Sequence, residues 1–353
     1  MRTYPRFKAC AAHVAPVYLD SERTVDKACA LIGEAAKAGA KVIAFPESFV
    51  PGFPIWAALQ APIRGHDLFK AIAAQSVEVP GPEVLRLCMA AKRHDMLVSV
   101  GISEATRVSV GCIWNSNLLI GPDGSILNHH RKLVPTFFEK LIWANGDAVG
   151  LHVCETQVGR IGMLICGENT NPLARYALMA QGEQLHVSTY PPTWPTRDPE
   201  ETRRYDLAAA IRVRTGAHSF EAKVFNIVAS SLVDSGLEEA MNPLGPEAVR
   251  ILKETPSGVS MILGPDAESL AETTHNGEEL IYADIDLSLA VEPKQFHDVV
   301  GYYNRFDIFR LSVNNGRIDP IAIAEPETTR SYPYEVIEAQ AGHGSGNRHE
   351  VSA

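Results

Sequence analysis

The chain has 353 residues, a formal net charge of −10, 46% hydrophobic and 21% charged residues. That composition supplies a large apolar core, and a chain of this length forms two domains or one large α/β unit. An acidic balance without Lys/Arg blocks argues against nucleic acid as the main partner, and no apolar run approaches the roughly 18 residues of a membrane span.

The opening stretch MRTYPRFKACAAHVAP lacks a secretory apolar region of normal length and reads as the first strand of a cytoplasmic protein. Asp20 or Ser21 is placed to cap a helix with apolar face Val25, Ala28, Ile32 and Ala35, which Gly39 stops. KVIAF is then a short buried strand ending at Pro46-Glu47. Residues 83–94 read as a second helix, and MLVSVGI (96–102) and CIWNSNLLI (112–120) as strands. GPDG (121–124) turns the chain into SILNHH. LLIGPDGSIL resembles the later MILGPDAESL, which predicts two strand-turn-strand units, one in each of two sheets. LHVCET and RIGMLIC flank QVG as a further strand pair, and a helix follows Cys166 to about residue 181. Strand QLHVSTY, the Pro-rich loop PPTWPTRDP, a helix to about Ala222 and strand VFNIVASS come next. The alternation runs without a linker-like shift to about residue 325, which predicts one domain over 1–325 and a tail over 326–353. The Gly- and polar-rich end of that tail, AGHGSGNRHEVSA, reads as mobile or as part of an oligomer contact.

Three places carry potential chemistry. The six cysteines are scattered without a CxxC pair, which suits free thiols in a reducing compartment. Cys166 ends an apolar strand, Gly167 allows a bend, and Asn171-Pro172 reads as a cap and first helical residue. A thiol just before a helix N-terminus meets free N–H groups that favour a thiolate; a strand-end cysteine also serves simply as a small buried hydrophobe. Glu47, in AFPESF, is either a partly buried general base or a solvated ion-pair partner. In HRKLVPTFFEK, a protonated Lys132 can stabilise an anion and Glu139 can position water or that lysine; otherwise both are solvated charge. His129-His130 and His152/Cys154 have no metal-site spacing, and no metal is expected. No phosphate-binding glycine loop and no GxSxG elbow occurs.

FPES, HRKLVPT and ICGEN, in that order and each beside a predicted strand, strongly resemble the carbon–nitrogen hydrolase (nitrilase) superfamily over roughly residues 5 to 325. The resemblance implies a four-layer α-β-β-α sandwich of class α/β (α+β) and a Glu-Lys-Cys triad: Glu47 as general base, Lys132 as anion-stabilising cation, Cys166 as nucleophile, with Glu139 matching the second glutamate. RKLVPTFFEKLIWANGD and CGENTNPLARYALMAQGEQLHVSTYPP are most similar to the nitrilase branch. Two positions depart from that branch: Gly167 stands where many members carry Trp, and Tyr302 where many carry His.

The resemblance implies hydrolysis of a nitrile to acid and ammonia through a thioimidate and a thioester on Cys166, with nitrile and water as the only small-molecule partners and no cofactor. Phe53, Trp56, Tyr190 and Trp194 lie on loops beside the triad and, with Gly167, predict an aromatic pocket with room for aryl or arylaliphatic nitriles. An amidase or carbamoyl hydrolase would share the triad. An enzyme that stops at the amide, a Cys-His hydrolase and a non-catalytic scaffold on the same fold are the other readings. The resemblance further implies homo-oligomers built on dimers that extend into spirals, for which NIVASSLV and the tail are the expected contacts.

Overall fold

The computed structural model describes residues 4–275, 277–316 and 331–343. In chain order the strands are β1 (Arg6–His13), β2 (Ala40–Ala44), β3 (Val77–Glu78), β4 (Leu97–Ala105), β5 (Trp114–Ile120), β6 (Ile126–Arg131), β7 (Cys154–Thr156), β8 (Gly159–Ile165), β9 (Leu185–Tyr190), β10 (Phe225–Ser230), β11 (Met261–Leu263), β12 (Ser269–Glu272) and β13 (Glu279–Asp286). The helices are α1 (Ser21–Lys37), α2 (Trp56–Leu59), α3 (His66–Gln75), α4 (Pro82–His94), α5 (Pro172–Met179), α6 (Leu207–Ala222), α7 (Ser235–Met241), α8 (Pro246–Glu254) and α9 (Tyr334–His343).

One sheet runs β13-β1-β2-β4-β5-β6, with β3 beside β4; the other runs β12-β11-β10-β9-β8-β7. The inner strands β1-β2-β4 and β8-β9-β10 are parallel. The two GPD-containing units are the β5-β6 and β11-β12 pairs, one in each sheet as expected.

Period-two patterning sorts the side chains. Ala9 and Ala11 of β1 meet Met163, Leu185, Val187 and Ile227 in a core between the sheets, while Cys10 and Ala12 pack with α1 and α4 on the outside. Helix α1 buries the predicted Val25, Ala28, Ile32 and Ala35, and Asp20 caps it by accepting from Arg23 N. The far face of the second sheet, flanked by α5 and α6, is unusual in being polar: His186, Ser188 and Asn226 are fully buried there. The result is the α-β-β-α sandwich.

The helix after Cys166 starts at Pro172 with Asn171 as its cap, accepting from Leu173 N, as expected, and a 3₁₀ turn over Cys166–Thr170 precedes it. Two expectations need correction. The strand drawn as LHVCET begins only at Cys154. The NIVASS run is not a contact surface, because β10 lies between β9 and β11 and is wholly buried. A charge-poor apolar run reads the same for a sheet centre and for an interface. Of the tail, residues 331–343 return to the domain: Tyr332 bridges to Ile126 and Ile337 is buried with α4. Positions 326–330 and 344–353 lie outside the described residues.

Candidate active site

Glu47, Lys132 and Cys166 each stand just beyond the carboxyl end of a strand, β2, β6 and β8 respectively, so the group draws on both sheets. The backbone there is under local constraint. Ser48 and Cys166 adopt positive φ, 46° and 49°, and Phe137 does so at 53°; such non-glycine residues cost on the order of 1–3 kcal/mol each. Gly101 of β4 passes beneath Glu47, where a β-carbon would stand 2.3 Å from Pro46 O and 2.5 Å from Ser48 N.

Lys132 Nζ donates to Glu47 Oε1 at 2.6 Å and to Glu139 Oε1 and Oε2 at 2.9 and 2.7 Å, all with fully buried side chains. Asn115 Nδ2 also donates to Glu47 Oε1 (2.7 Å), and Asn115 O accepts from Lys132 N (2.8 Å), so one residue of β5 orients both. Thr136 N donates to Glu139 Oε2 at 2.8 Å. Glu47 Oε2 is buried and has no hydrogen-bond partner among the described residues. Cys166 Sγ and one carboxylate oxygen from each of Glu47 and Glu139 lie within 4.8 Å of one another. That spacing suits a cation, and the Lys132 ammonium fills the role.

Burial works against a charged Lys132, but the Glu139 and Glu47 carboxylates outweigh it and hold the ammonium well above the ordinary lysine range. Burial, then the neighbouring Glu47, push Glu139 up to about 7 against the pull of Lys132. Burial raises the Cys166 thiol well above its usual range; Glu47 adds to this, while Lys132 and Arg214 oppose it. The expected thiolate at a helix end is therefore not the resting form. The helix starts too late, and the carboxylates that face the sulfur come from elsewhere in the chain.

The turn that carries Cys166 is anchored twice. Glu168 accepts from Leu133 N at 2.5 Å and from Ile165 N at 2.8 Å, and His130 Nε2 donates to it at 2.9 Å. One carboxylate thus ties the residue after Lys132 to the residue before Cys166. Asn169 Nδ2 donates to Cys166 O (3.1 Å) and Leu164 O (3.3 Å), while its Oδ1 accepts from His186 Nε2 and Ser188 Oγ. His186 Nδ1 and His218 Nε2 each sit 2.6 Å from a Glu183 oxygen. Metal ligands of one zinc ion stand more than about 3 Å apart, so these three residues form a hydrogen-bonded chain rather than a coordination site.

A sequence profile of carbon–nitrogen hydrolases matches residues 8–295. The chain belongs to the carbon–nitrogen hydrolase family. It is 33% identical to a nitrilase of Paraburkholderia phymatum over 315 residues, 89% of this chain and 88% of that one. It is 32% identical to a cyanide hydratase of Botryotinia fuckeliana over 327 residues, 91% and 86% of the two chains. The fold matches the carbon–nitrogen hydrolase structure from Helicobacter pylori G27 with TM-score 0.66 at 19% identity, covering 86% of this chain and 96% of that one. This protein is thus a nitrilase-superfamily hydrolase acting on carbon–nitrogen bonds.

Of the pocket residues expected in this hydrolase, Phe53, Trp56, Tyr190 and Trp194 share one buried cluster with Cys166. Phe53 meets Trp194 edge-on at 6.0 Å. Phe138, which the sequence reading passed over, stacks on Trp194 at 4.4 Å. Trp56 also lines a separate cavity of about 290 Å³ with Phe69 and Leu141. At Gly167 a β-carbon would stand 2.9 Å from Thr136 Oγ1, with the next nearest atoms at 3.9 Å. Tyr302 sits on an exposed turn beside Tyr303. Asn115, Glu168, Asn169 and Arg214 were missed. The one signal available was polarity inside apolar strand-like runs, as in WNSN.

Proposed function

We propose that this hydrolase converts an organic nitrile to the carboxylic acid and ammonia, with Cys166 as nucleophile, Glu47 as general base and Lys132 as the stabilising cation. The observation that carries this reading is the buried Lys132 ammonium bonded to both Glu47 and Glu139, with Cys166 Sγ within 4.8 Å of both carboxylates. Similarity above 30% to a nitrilase over most of both chains supports the choice of nitrile.

A nitrile carbon is a weak electrophile, so the sulfur must attack as a thiolate. With the thiol protonated at rest, Glu47 Oε2 takes its proton as the S–C bond forms. The nitrile π pair moves to nitrogen, where Lys132 stabilises the charge and the proton held by Glu47 completes a thioimidate. Glu47, with Glu139, then removes a proton from water, whose oxygen adds to the thioimidate carbon. Return of that proton to nitrogen gives a tetrahedral intermediate bearing OH and NH2. Glu47 then carries the hydroxyl proton to the amino group, the C–N bond breaks as C=O forms, and ammonia departs to leave a thioester. A second water adds by the same route, the C–S bond breaks, and the acid leaves with Cys166 reprotonated.

The aromatic cluster of Phe53, Phe138, Tyr190 and Trp194 supports aryl or arylaliphatic substituents. The likeness to a cyanide hydratase favours one second reading, in which ammonia does not leave and the amide is the product. An amidase would share every catalytic residue. Exposed apolar side chains on α5 and α6, Leu173, Val213 and Phe220, and on the segment beyond β13, Phe306, support a homo-oligomer. Six free cysteines support a cytoplasmic location, and among the described residues no helix is long and apolar enough to cross a membrane.

The test is product analysis with phenylacetonitrile, benzonitrile, a short aliphatic nitrile and the matching amides. Acid and ammonia from nitriles, with little from amides, is the expected result. Turnover of amides alone would replace nitrile by amide as the substrate.

A further inference from the structure

Strands β8 and β9 are parallel with Ile165 paired to Thr189. The next residues, Cys166 and Tyr190, therefore leave adjacent carboxyl ends side by side, where ligands of such sheets bind. Tyr190 is fully buried in the cluster that holds Cys166, yet among the described residues its hydroxyl has no hydrogen-bond partner. A buried phenol ordinarily finds one, and a donor left unmatched beside a nucleophile is an opening for a substrate atom.

Arg214 of α6 supplies a second unmet group. Its Nε donates to Thr170 Oγ1 at 2.8 Å, four residues beyond the nucleophile, and its Nη2 donates to the Tyr205 hydroxyl at 2.9 Å. Both acceptors are neutral, and among the described residues Arg214 forms no ion pair with a carboxylate. The contrast is with Arg131 and Arg175, whose guanidinium groups sit against Glu104 and Glu221. The bond to Thr170 brings Arg214 to the 3₁₀ turn that carries Cys166; burial disfavours its charge, and the ionisable Cys166 and Tyr190 groups favour it.

We propose that Tyr190 and Arg214 form a subsite beside Cys166 for an anionic oxygen on the substrate, a carboxylate above all. The proposal deepens the nitrile reading and rests on it for the identity of the reacting group. A guanidinium matches a carboxylate with paired, charge-assisted hydrogen bonds, and the phenol adds a neutral donor. The aromatic rings of Phe53 and Trp194 suit the apolar spacer between carboxylate and nitrile. An uncharged alkyl substituent would leave the Tyr190 hydroxyl unpaired and Arg214 without a counter-charge, the situation in which sites discriminate most strongly.

The experiment compares ω-cyano carboxylates of increasing chain length with uncharged nitriles of equal length, in wild type, Arg214→Leu, Arg214→Lys and Tyr190→Phe. The expected result is a kcat/KM preference of tenfold or more for one charged chain length. That ratio should collapse in Arg214→Leu, fall less in Arg214→Lys, and fall in Tyr190→Phe. No preference in the wild type, or equal losses on charged and neutral nitriles in Arg214→Leu, overturns the subsite. Protection of Cys166 from iodoacetamide gives a readout independent of turnover. Carboxylates should protect at concentrations tenfold or more below matched primary amides, and only with Arg214 present. Selective protection without hydrolysis of any nitrile would uphold the subsite and remove the nitrile reading; equal protection by acid and amide would overturn the subsite itself.

Discussion

Lys132 Nζ and Glu47 Oε1 stand 2.6 Å apart although 85 positions separate the two residues in the chain. The contact joins the ends of two strands of one sheet, and the nucleophile of the other sheet closes the group. Burying one ammonium between two carboxylates is stable only while every partner stays in place.

Replacing Lys132 with Met should therefore harm both chemistry and folding. Two buried carboxylates would lose their cation, a change worth about 3–5 kcal/mol in comparable cases. The loss should be larger at pH 8 than at pH 6, where Glu139 can take up a proton. Urea unfolding at the two pH values measures this. Glu47→Gln keeps the shape and should lower kcat by roughly 10²–10⁴-fold, the usual contribution of a positioned base. Near-normal kcat in Glu47→Gln would remove Glu47 from the base role.

The pH dependence follows from Glu139. Its folded pKa is raised to about 7 from an ordinary 4.5. Between those values the native state holds a proton that the unfolded chain has lost, so this group's contribution to stability falls as pH rises through the window. If the ionised form is the active one, kcat/KM should climb through pH about 7, as an apparent value belonging to the coupled cluster. Glu139→Gln should flatten that limb. An unchanged limb in the variant would assign it to another group.

Glu168 should act on rate through position. Glu168→Gln would turn an amide N–H₂ toward Leu133 N, Ile165 N or His130 Nε2, each of which now donates to the carboxylate. The expected outcome is a 10- to 100-fold drop in kcat with a smaller change in KM, as misplacement of reacting groups produces. Iodoacetamide labelling of Cys166 should slow in parallel. A KM effect alone would mean that Glu168 shapes the pocket and not the register of Lys132 and Cys166.

Acid should loosen the second sheet first. Burial, helped by the nearby His186, lowers His218 to about 4 even though Glu183 pulls the other way. An unfolded histidine protonates near 6.5, so the native state binds fewer protons between those values and stability falls as pH drops through them. The loss is on the order of 3 kcal/mol for a shift of that size. Urea midpoints at pH 7, 5.5 and 4 should decline, and His218→Gln should blunt the decline.

Local and ordered features of this fold were readable in the sequence. The Asp20 cap, the apolar face of α1 and the GPD turns are set by neighbours within a few residues. The three motifs also lead to Glu47, Lys132 and Cys166 through their resemblance to the carbon–nitrogen hydrolase pattern, and the structure brings the three together. Helices α2, α3, α7, α8 and α9 escaped notice, and so did β3 and β13. What the sequence could not show is anything set by distant partners. Asn115 reads as a polar interruption in a strand until Glu47 is seen beside it. Glu168 reads as a helix-start acid until Leu133 and Ile165 are seen donating to it. The resting state of Cys166 was misjudged for the same reason, since its protonation follows from burial and from Glu47 more than from the helix after it.

The central claim is covalent catalysis by Cys166, and mass spectrometry of an acid-quenched reaction tests it most directly. During turnover of a hydrolysed nitrile, the peptide containing Cys166 should gain the mass of the substrate acyl group, and Cys166→Ala should be folded, unlabelled and inactive. Turnover that persists in Cys166→Ala, or an acyl adduct on another cysteine such as Cys112, would contradict it.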